Sequence, residues 1–257
     1  MTCLAWHPNS QFLATGSTDF KCRVFSAVIT NVDTGKPDAP GTEERCCGKV
    51  EPFGEAYCEF PSSGHTGVGW VTAVAWSPSG CTLAFACQDS TLGVATFPAD
   101  GCAPAVEQYI RFGELPLTSL CFVSNLGLVG AGHDYSPAAF VDTGHGQWSF
   151  AGGLEEKPSA NAKIVTSGGG GGSGSGVASR MAMFETSSGG SSSAASSSLT
   201  SGTRDEKHDS SWKCHKGTVT ALSVHGSVVT STGMDGRLVH WDLTTVPVNV
   251  AALGVVE

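Results

Sequence analysis

The sequence predicts an all-β fold assembled from repeats of short strands, and three observations support this prediction. Apolar segments of four to seven residues are separated by turn residues, and they lack the 3.6-residue spacing of an amphipathic helix. Gly and Pro supply 34 and 12 of the 257 residues, which is typical of a chain with many tight turns. The third observation is internal, because one three-strand pattern recurs four times along the chain.

The composition excludes several classes of protein. Apolar residues make up 40% of the chain and charged residues 14%, so there is enough apolar surface for a packed core. The net charge of -9 has the same sign as a phosphate backbone, and we therefore expect no nucleic-acid partner. No apolar run approaches the ~18 to 20 residues of a spanning helix, so we expect no membrane insertion.

Each copy of the repeat contains three strands and two turns, and the second turn holds an Asp. Asp favours such turns because its side chain hydrogen-bonds nearby backbone N–H groups. The copies span residues 2–25, 71–97, 117–141 and 219–242. Their turn aspartates are Asp19, Asp89, Asp134 and Asp235.

The turn aspartates are 70, 45 and 101 residues apart. Only the middle spacing matches the ~40 to 45 residues of a four-stranded propeller blade, so the other two intervals are expected to contain insertions. Pro, Gly and charged residues mark a loop insertion at 31–64, and low-complexity sequence marks another at 155–213. The predicted organisation is therefore repeats at 1–154, the insertion 155–213, a last repeat at 214–245 and a tail at 246–257.

The second insertion contains one apolar island. Gly and Ser supply 23 of the 36 residues at 167–202, a composition that cannot bury enough surface to offset its ordering entropy. Within it, residues 177–185 favour a short helix, with Met181 and Phe184 on one face. Two interpretations stay open: a chance apolar patch, or a helix that folds on a partner.

The last repeat holds the polar residues that could carry chemistry. These residues are His215, Thr230, Ser231, Asp235 and Trp241. A His, an Asp and a hydroxyl group could form a hydrolase triad. In a WD-repeat blade, however, a His before the first strand bonds the turn Asp, and the chain of bonds continues through a Ser or Thr to the Trp indole. We favour this structural network and predict no catalytic residue.

The remaining His and Cys residues do not predict a metal or cofactor site. His65 resembles His215, but it lies six residues before Val71 whereas His215 lies four before Val219, so their equivalence stays open. Ten cysteines occur without a C-x-x-C pair or a secretory signal. We therefore expect reduced thiols in a cytoplasmic protein.

Several strings resemble one WD-repeat family. The run Asp-Phe-Lys-Cys-Arg-Val-Phe-Ser-Ala at 19–27, together with Trp-His-Pro at 6–8, resembles the WD-repeat subunit (subunit 1) of the actin-related protein 2/3 complex. Further matching strings follow in the same order, among them 52–55, 69–71 and 232–236. The resemblance covers nearly the whole chain apart from the low-complexity segment.

This resemblance implies a WD40 β-propeller, of which the chain would hold about blades four to seven of a seven-bladed ring. It implies a non-enzymatic structural subunit, located in the cytoplasm at the actin cytoskeleton, that supports nucleation of branched actin filaments. The expected partners are other subunits of the complex, the actin filament and nucleation-promoting factors. In the family about three further blades precede the position of Met1, so we expect either that this sequence is a fragment of such a ring or that something else covers its open ends.

The resemblance also suggests contact residues. In the family the insertion carries a short helix that projects towards actin, and the matching residues here are Arg180, Met181, Met183 and Phe184. Lys21 and Arg23 are candidates for contact with the acidic tail of an activator. The alternative is a generic WD-repeat adaptor in another assembly, which explains Asp235 and Trp241 equally well but does not explain the run 19–27.

Overall fold

The described part of the chain forms four antiparallel sheets. The computed structural model describes residues 1–29, 52–61, 69–97, 106–144, 146–155, 213–247 and 253–254. The chain divides into two units, Met1–Lys157 with Ser210–Glu257, and Pro158–Asp209. Every described residue belongs to the first unit, and the second unit falls inside the predicted insertion 155–213.

Fifteen strands build the sheets, and each sheet is a meander in which strands that follow each other in sequence pair side by side. Sheet A contains β1 (Cys3–Trp6), β2 (Phe12–Gly16), β3 (Cys22–Ser26) and β4 (Ala56–Phe60). Sheet B contains β5 (Val71–Trp76), β6 (Thr82–Cys87), β7 (Thr91–Thr96) and β8 (Val106–Arg111). Sheet C contains β9 (Leu117–Phe122), β10 (Gly127–Gly132), β11 (Ala138–Asp142) and β12 (Trp148–Gly153). Sheet D contains β13 (Val219–His225), β14 (Val228–Gly233) and β15 (Leu238–Asp242).

The turn between the second and third strands has the same geometry in all four sheets. Each turn aspartate is followed by a residue with a left-handed backbone, and only the last of these is a glycine. These residues are Phe20 (φ 70°), Ser90 (φ 61°), Tyr135 (φ 67°) and Gly236 (φ 74°). Asp side chains hold the turn by accepting backbone N–H bonds two residues on, as from Lys21 to Asp19 (3.2 Å).

Three apolar clusters join successive sheets. Phe12, Val24 and Phe60 of sheet A pack with Leu83 and Phe85 of sheet B. A second cluster joins sheets B and C, and a third joins sheets C and D. Within the described ranges, no buried cluster joins sheet D back to sheet A. The sheets therefore follow one another as an arc of propeller blades, which confirms the predicted all-β class.

The strands β1, β5, β9 and β13 lie innermost, since each contacts its counterpart in the next sheet. They begin at the end of the sheets where the Asp turns lie, and this end is called the Asp-turn end below. The opposite end carries the turns between first and second strands. Among the described residues, no helix is long and apolar enough to cross a membrane.

Two predicted boundaries need correction. The loop insertion predicted at 31–64 is wrong at its C-terminal end, because β4 lies inside it and pairs with β3. The sequence analysis missed the fourth strand of each four-stranded sheet. This strand lies at the outer edge, where partial exposure weakens the alternation of apolar residues. The tail 246–257 also contributes to the core, since Leu253 is fully buried in the third cluster.

Candidate functional site

A buried polar chain crosses sheet D. His215 is fully buried, and its Nε2 lies 2.7 Å from Ser231 Oγ. On the other side of the ring, Nδ1 lies 3.2 Å from Asp235 Oδ1. The indole N–H of Trp241 donates to the same Ser231 oxygen (2.7 Å). Four of the five polar residues singled out in the last repeat thus lie in one hydrogen-bonded chain.

Thr230 does not join this chain. Successive residues of a strand point to opposite faces, so only one of Thr230 and Ser231 can face the buried side. The structure places Ser231 there, whereas the Thr230 hydroxyl lies 2.9 Å from His240 Nδ1 on the open face of the sheet. The sequence could not separate the two hydroxyls because both fit the Ser or Thr position.

Asp235 lies at one end of this series of hydrogen bonds and is ionised. It accepts backbone N–H bonds from Lys216 (2.7 Å) and Arg237 (3.1 Å), in addition to its contact with His215. The bond from Lys216, with that from Arg237 and the His215 contact, lowers the pKa of Asp235 to about 2. The carboxylate therefore ties the segment before β13 to the turn before β15.

The residues of this hydrogen-bond network are poorly placed to act as a catalytic triad. A nucleophilic serine must reach a substrate, but Ser231 is fully buried and accepts a bond from Trp241. All the polar atoms that meet at Ser231 belong to the strands or flanks of sheet D. The arrangement can therefore hold strands together, and it offers no surface on which a substrate could bind.

The described residues of sheet B do not form a hydrogen-bond network equivalent to that of His215, Ser231 and Trp241 in sheet D. A Cβ added at Gly69 would lie 3.0 Å from Asp89 N, and one at Gly217 would lie 3.1 Å from Asp235 N. These two glycines are therefore equivalent, and counting back along the sequence puts Gly67, not His65, at the position of His215. His65 itself lies outside the described residues. Asp89 Oδ1 is buried with no hydrogen-bond partner in this part of the structure.

The cations of the described residues are confined to one end of the sheets, whereas the carboxylates lie at both ends. All six Lys and Arg residues in the described ranges lie at the Asp-turn end. They are Lys21, Arg23, Arg111, Lys213, Lys216 and Arg237. At the opposite end the described charges are the acidic residues Glu55, Glu107, Asp142 and Asp242. Seven described carboxylates share the Asp-turn end with these cations, so the end is close to neutral: Asp19, Glu59, Asp89, Glu114, Asp134, Glu155 and Asp235. The same end carries exposed apolar side chains: Phe20, Trp70, Leu115 and Met234.

Lys21 and Arg23 are engaged with carboxylates. Lys21 Nζ lies 2.9 Å from one oxygen of Glu59, and Arg23 Nε lies 2.7 Å from the other. Arg23 also pairs with Asp19 (2.7 Å). Lys21 and Arg23, which the sequence analysis suggested for contact with an acidic tail, are therefore already paired with carboxylates. An acidic tail would have to displace these ion pairs.

The flanks of the second insertion meet at the Asp-turn end. Glu155 Oε1 accepts the backbone N–H of Cys214 (2.8 Å), which joins the residues on either side of 156–212. Lys213 is buried and forms an ion pair with Asp134 (3.1 Å), which fixes the return of the chain against sheet C. The predicted contact residues Arg180, Met181, Met183 and Phe184, with the helix 177–185, lie outside the described residues.

The cysteines depart from the expectation at one position. Cys81 is disulfide-bonded, so the prediction that all thiols are reduced is wrong there. Cys3, Cys22, Cys87, Cys121 and Cys214 are free thiols. Burial raises the pKa of Cys87 and of Cys121 to about 12, which makes these thiols poor nucleophiles. In the described ranges, no group of His, Cys, Asp and Glu could hold a metal ion.

Comparison with known proteins gives the family of the repeats. The WD domain, G-beta repeat family matches residues 1–26, 57–94 and 206–242. Sheet C falls between these matches, although it has the same four-stranded meander as sheets A and B. Two solved structures, of U3-55K and of the RRP9 WD40 repeats, superpose with TM-scores of 0.51 and 0.52. Both are 14% identical to this chain and cover 94% of it, against 48% and 47% of their own chains, so they show the fold alone.

Several curated relatives match over almost the whole chain. Actin-related protein 2/3 complex subunit 1A-A of Xenopus laevis is 31% identical over 94% of this chain and 57% of its own length. Subunit 1A of Arabidopsis thaliana is 32% identical over 95% and 58%. Subunit 1 of Schizosaccharomyces pombe is 32% identical over 93% and 60%. The chain therefore spans less than two thirds of the length of these relatives. The sheets and the matched repeats show the WD-repeat β-propeller fold, and the curated relatives named here are subunit 1 of the actin-related protein 2/3 complex.

Proposed function

We propose that this chain serves as a non-enzymatic structural subunit of an actin-related protein 2/3 complex and supports nucleation of branched actin filaments. The observation that carries the proposal is the match to subunit 1 from frog, plant and fission yeast over 93 to 95% of the chain. The four sheets and the buried network of sheet D agree with a scaffold, since the polar residues of that network are used to hold strands. Such a subunit would work in the cytoplasm, at the actin cytoskeleton.

The Asp-turn end is the surface that we assign to contacts outside the core of the complex. It carries every described cation of the chain together with exposed Phe20, Trp70 and Met234. The apolar side chains of a partner such as the tail of a nucleation-promoting factor could pack on these exposed residues. Its acidic side chains would have to displace carboxylates such as Glu59 and Asp19 from Lys21 and Arg23. Both flanks of the second insertion also leave from this end.

Within the insertion, Arg180, Met181, Met183 and Phe184 are the residues that we propose for contact with actin. Apolar side chains at helical spacing can bury against a partner surface even when a short helix is marginal alone. The insertion begins and ends at a base held by Glu155, Cys214, Lys213 and Asp134. Contacts made by the insertion would therefore be transmitted to sheets C and D.

The test begins with the native tagged protein, purified from its own cells. Recovery of two actin-related proteins and the smaller subunits supports membership of the complex, and their absence would favour a generic WD-repeat adaptor. The complex is then rebuilt with Met181→Ser, Met183→Ser and Phe184→Ser combined. We expect normal assembly with several-fold fewer branches in a pyrene-actin and microscopy assay. Phe53→Ser, at an exposed apolar residue of the opposite end, is the matched control.

A further inference from the structure

The outer edge of sheet C differs from the outer edges of sheets A and B. The outer strands β4 and β8 carry charged residues, Glu59 in the first and Glu107 with Arg111 in the second. The outer strand β12 reads Trp-Ser-Phe-Ala-Gly-Gly and carries neither a charged residue nor a proline. Charged side chains and prolines are two of the means by which proteins keep an exposed strand edge from pairing with another chain. The edge of β12 lacks both.

This edge is exposed in the described part of the chain. β12 pairs with β11 on one side, and no described strand pairs with its other side. Phe150 is 37% exposed, and Ala151 beside it is exposed as well. Sheet C packs against sheet B on one face and against sheet D on the other, so the exposed edge lies at the outer rim within the arc. It therefore presents backbone groups and apolar side chains together.

A side chain of sheet B already uses the first position of this edge as a neighbouring strand would. The backbone N–H of Trp148 donates to Gln108 Oε1 (2.8 Å), and Gln108 Nε2 donates to Trp148 O (2.7 Å). One amide side chain thus forms both of the hydrogen bonds that a residue of a paired strand exchanges with its partner. It follows that the N–H and C=O of Trp148 both point away from β11, towards the outer edge.

The alternation of backbone direction along a strand gives the next open position. Residues 148–150 pair with consecutive residues of β11 without a break in register. In antiparallel strands every second residue turns its backbone groups to the same edge, so those of Phe150 point outward like those of Trp148. Beyond Phe150 the register shifts and leaves Ala151 unpaired, a bulge that limits regular pairing. The edge therefore offers a hydrogen-bonding pair at Phe150 that Gln108 does not fill.

The charges around the start of β12 select the kind of segment that fits this edge. Asp142 lies opposite Trp148 on β11, and Glu107 is the chain neighbour of Gln108 on β8. All the described charges at this end of the sheets are acidic. A basic side chain is therefore favoured, and an acidic one disfavoured, at the end of a bound segment that lies beside Trp148.

The rings beside Phe150 favour an apolar side chain at the middle of such a segment. The Phe150 ring stacks on Phe112 with centroids 6.4 Å apart and packs edge-on against Phe140 at 5.5 Å. Phe112 and Phe140 are buried, so Phe150 covers them from the solvent side. An apolar side chain placed beside Phe150 would extend this aromatic cluster and remove more apolar surface from water.

We propose that the outer edge of β12 binds an extended segment of a partner protein, which adds to sheet C as a further strand. The segment is apolar beside Phe150 and carries Lys or Arg at the end beside Trp148. Its backbone exchanges with Phe150 the pair of hydrogen bonds that Gln108 exchanges with Trp148. Strand addition of this kind takes its affinity from backbone bonds and its specificity from side chains. This contact goes beyond the proposed function and does not depend on it.

The experiment is hydrogen–deuterium exchange, read at single amides, on the tagged protein purified from its own cells. The probe is a short end-capped peptide of alternating Val and Thr with a Lys pair at one end. One further version has the Lys pair at the other end, and another has Glu in place of Lys. We expect the Phe150 amide to exchange fast alone and ~10-fold slower with saturating Lys peptide of one orientation. The Trp148 amide, held by Gln108, should be slow throughout.

Three outcomes of this experiment would overturn the proposal. A Phe150 amide that is slow without peptide means that the edge is already filled. A Phe150 amide that stays fast with every peptide at millimolar concentration means that the edge does not accept a strand. Equal slowing by the Lys and Glu versions means that the acidic end does not select the segment, so the assigned partner chemistry is wrong.

Two substitutions at Phe150 separate the backbone bond from the side chain. Phe150→Pro removes the outward N–H and spares the bonds to β11, because proline is tolerated where the N–H of an edge strand faces solvent. Phe150→Val is the matched control, since it keeps the N–H and an apolar side chain. With a fluorescent Lys peptide, Phe150→Pro should weaken binding ~10-fold relative to Phe150→Val. Equal affinities of two variants with native circular dichroism would contradict strand addition.

Modified peptides test the same bond without changing the protein. In an added strand alternate residues of the peptide turn their N–H groups towards β12, and the others turn them away. N-methylation of the first set should abolish the slowing of the Phe150 amide, whereas N-methylation of the second set should preserve it. If both sets of methylated peptides act alike, the peptide does not bind as a strand and the proposal is wrong, whether or not Phe150→Pro folds.

Discussion

Sheets B and D hold their strands in different ways. Sheet B lies between two neighbours, and every residue of its second strand, β6, is buried. Its strands are held by apolar contacts on both faces, while Asp89 Oδ1 and Trp76 Nε1 are buried with no hydrogen-bond partner in the described part of the chain. Within the described residues, sheet D packs against one neighbour, sheet C, and the buried hydrogen bonds of His215, Ser231 and Trp241 run through the sheet.

This difference shows in which kind of sheet buried hydrogen bonds between strands contribute most to stability. A sheet packed on both faces gains its stability from buried area and tolerates an unpaired polar atom. A sheet with one open face has less area to bury, so hydrogen bonds between its own strands contribute a larger share. This explains why the fullest polar network in the described structure lies in the sheet with the fewest strands.

The largest effect is expected in sheet B, from Phe85→Ala. Phe85 is 1% exposed and packs between Phe60 and Tyr109, with ring centroids 6.2 and 6.0 Å away. Removing the ring leaves a cavity that close-packed strands cannot collapse into, so the free energy of unfolding should fall by about 3 to 5 kcal/mol. Urea denaturation followed by tryptophan fluorescence measures it. Phe53→Ala, at an exposed Phe, is the control and should change stability by less than about 0.5 kcal/mol.

A smaller loss is expected in sheet D, from His215→Ala. The substitution leaves the buried hydroxyl of Ser231 and the carboxylate of Asp235 each without one partner. Unfolding should become easier by about 2 to 3 kcal/mol. Thr230→Val is the matched control, because Thr230 lies on the same strand but outside the chain of bonds. Equal losses for His215→Ala and Thr230→Val would show that the buried network does not stabilise the sheet.

The contact between sheets A and B, where His7 packs on Trp76, and the buried network of sheet D should respond to acid in different pH ranges. Burial lowers the pKa of His7 from its ordinary value of 6.5, so the unfolded chain binds more protons and stability is lost as pH falls below about 6.5. For Asp235 the folded pKa is also depressed, to about 2 from 3.8, so its contribution is present above 3.8 and is lost as pH falls towards 2.

Urea titrations between pH 8 and pH 2.5 can separate these contributions. His7→Gln should remove the upper decline in the free energy of unfolding, and Asp235→Asn should remove the lower one. A wild-type profile that is flat between pH 6.5 and pH 4 would contradict the assignment to His7.

The sequence predicted most of the strands and missed others for identifiable reasons. Strands such as β5 and β6 carry continuous apolar residues and lie between sheets, so their pattern is strong. The rim strand β8 reads Val-Glu-Gln-Tyr-Ile-Arg and is partly exposed along its length, so it carries no clear apolar alternation. Thr230 and Ser231 were equally good candidates until the register placed the serine on the buried side.

Some properties of this protein follow from the sequence by itself. The repeat, the Asp turns and the family resemblance are local sequence patterns, so they can be recognised without knowing the tertiary contacts. Only the tertiary structure placed every described cation at one end of the sheets and joined the flanks of the insertion at Glu155 and Cys214. These facts depend on strand direction and on the order of sheets, which bring together residues far apart in the chain.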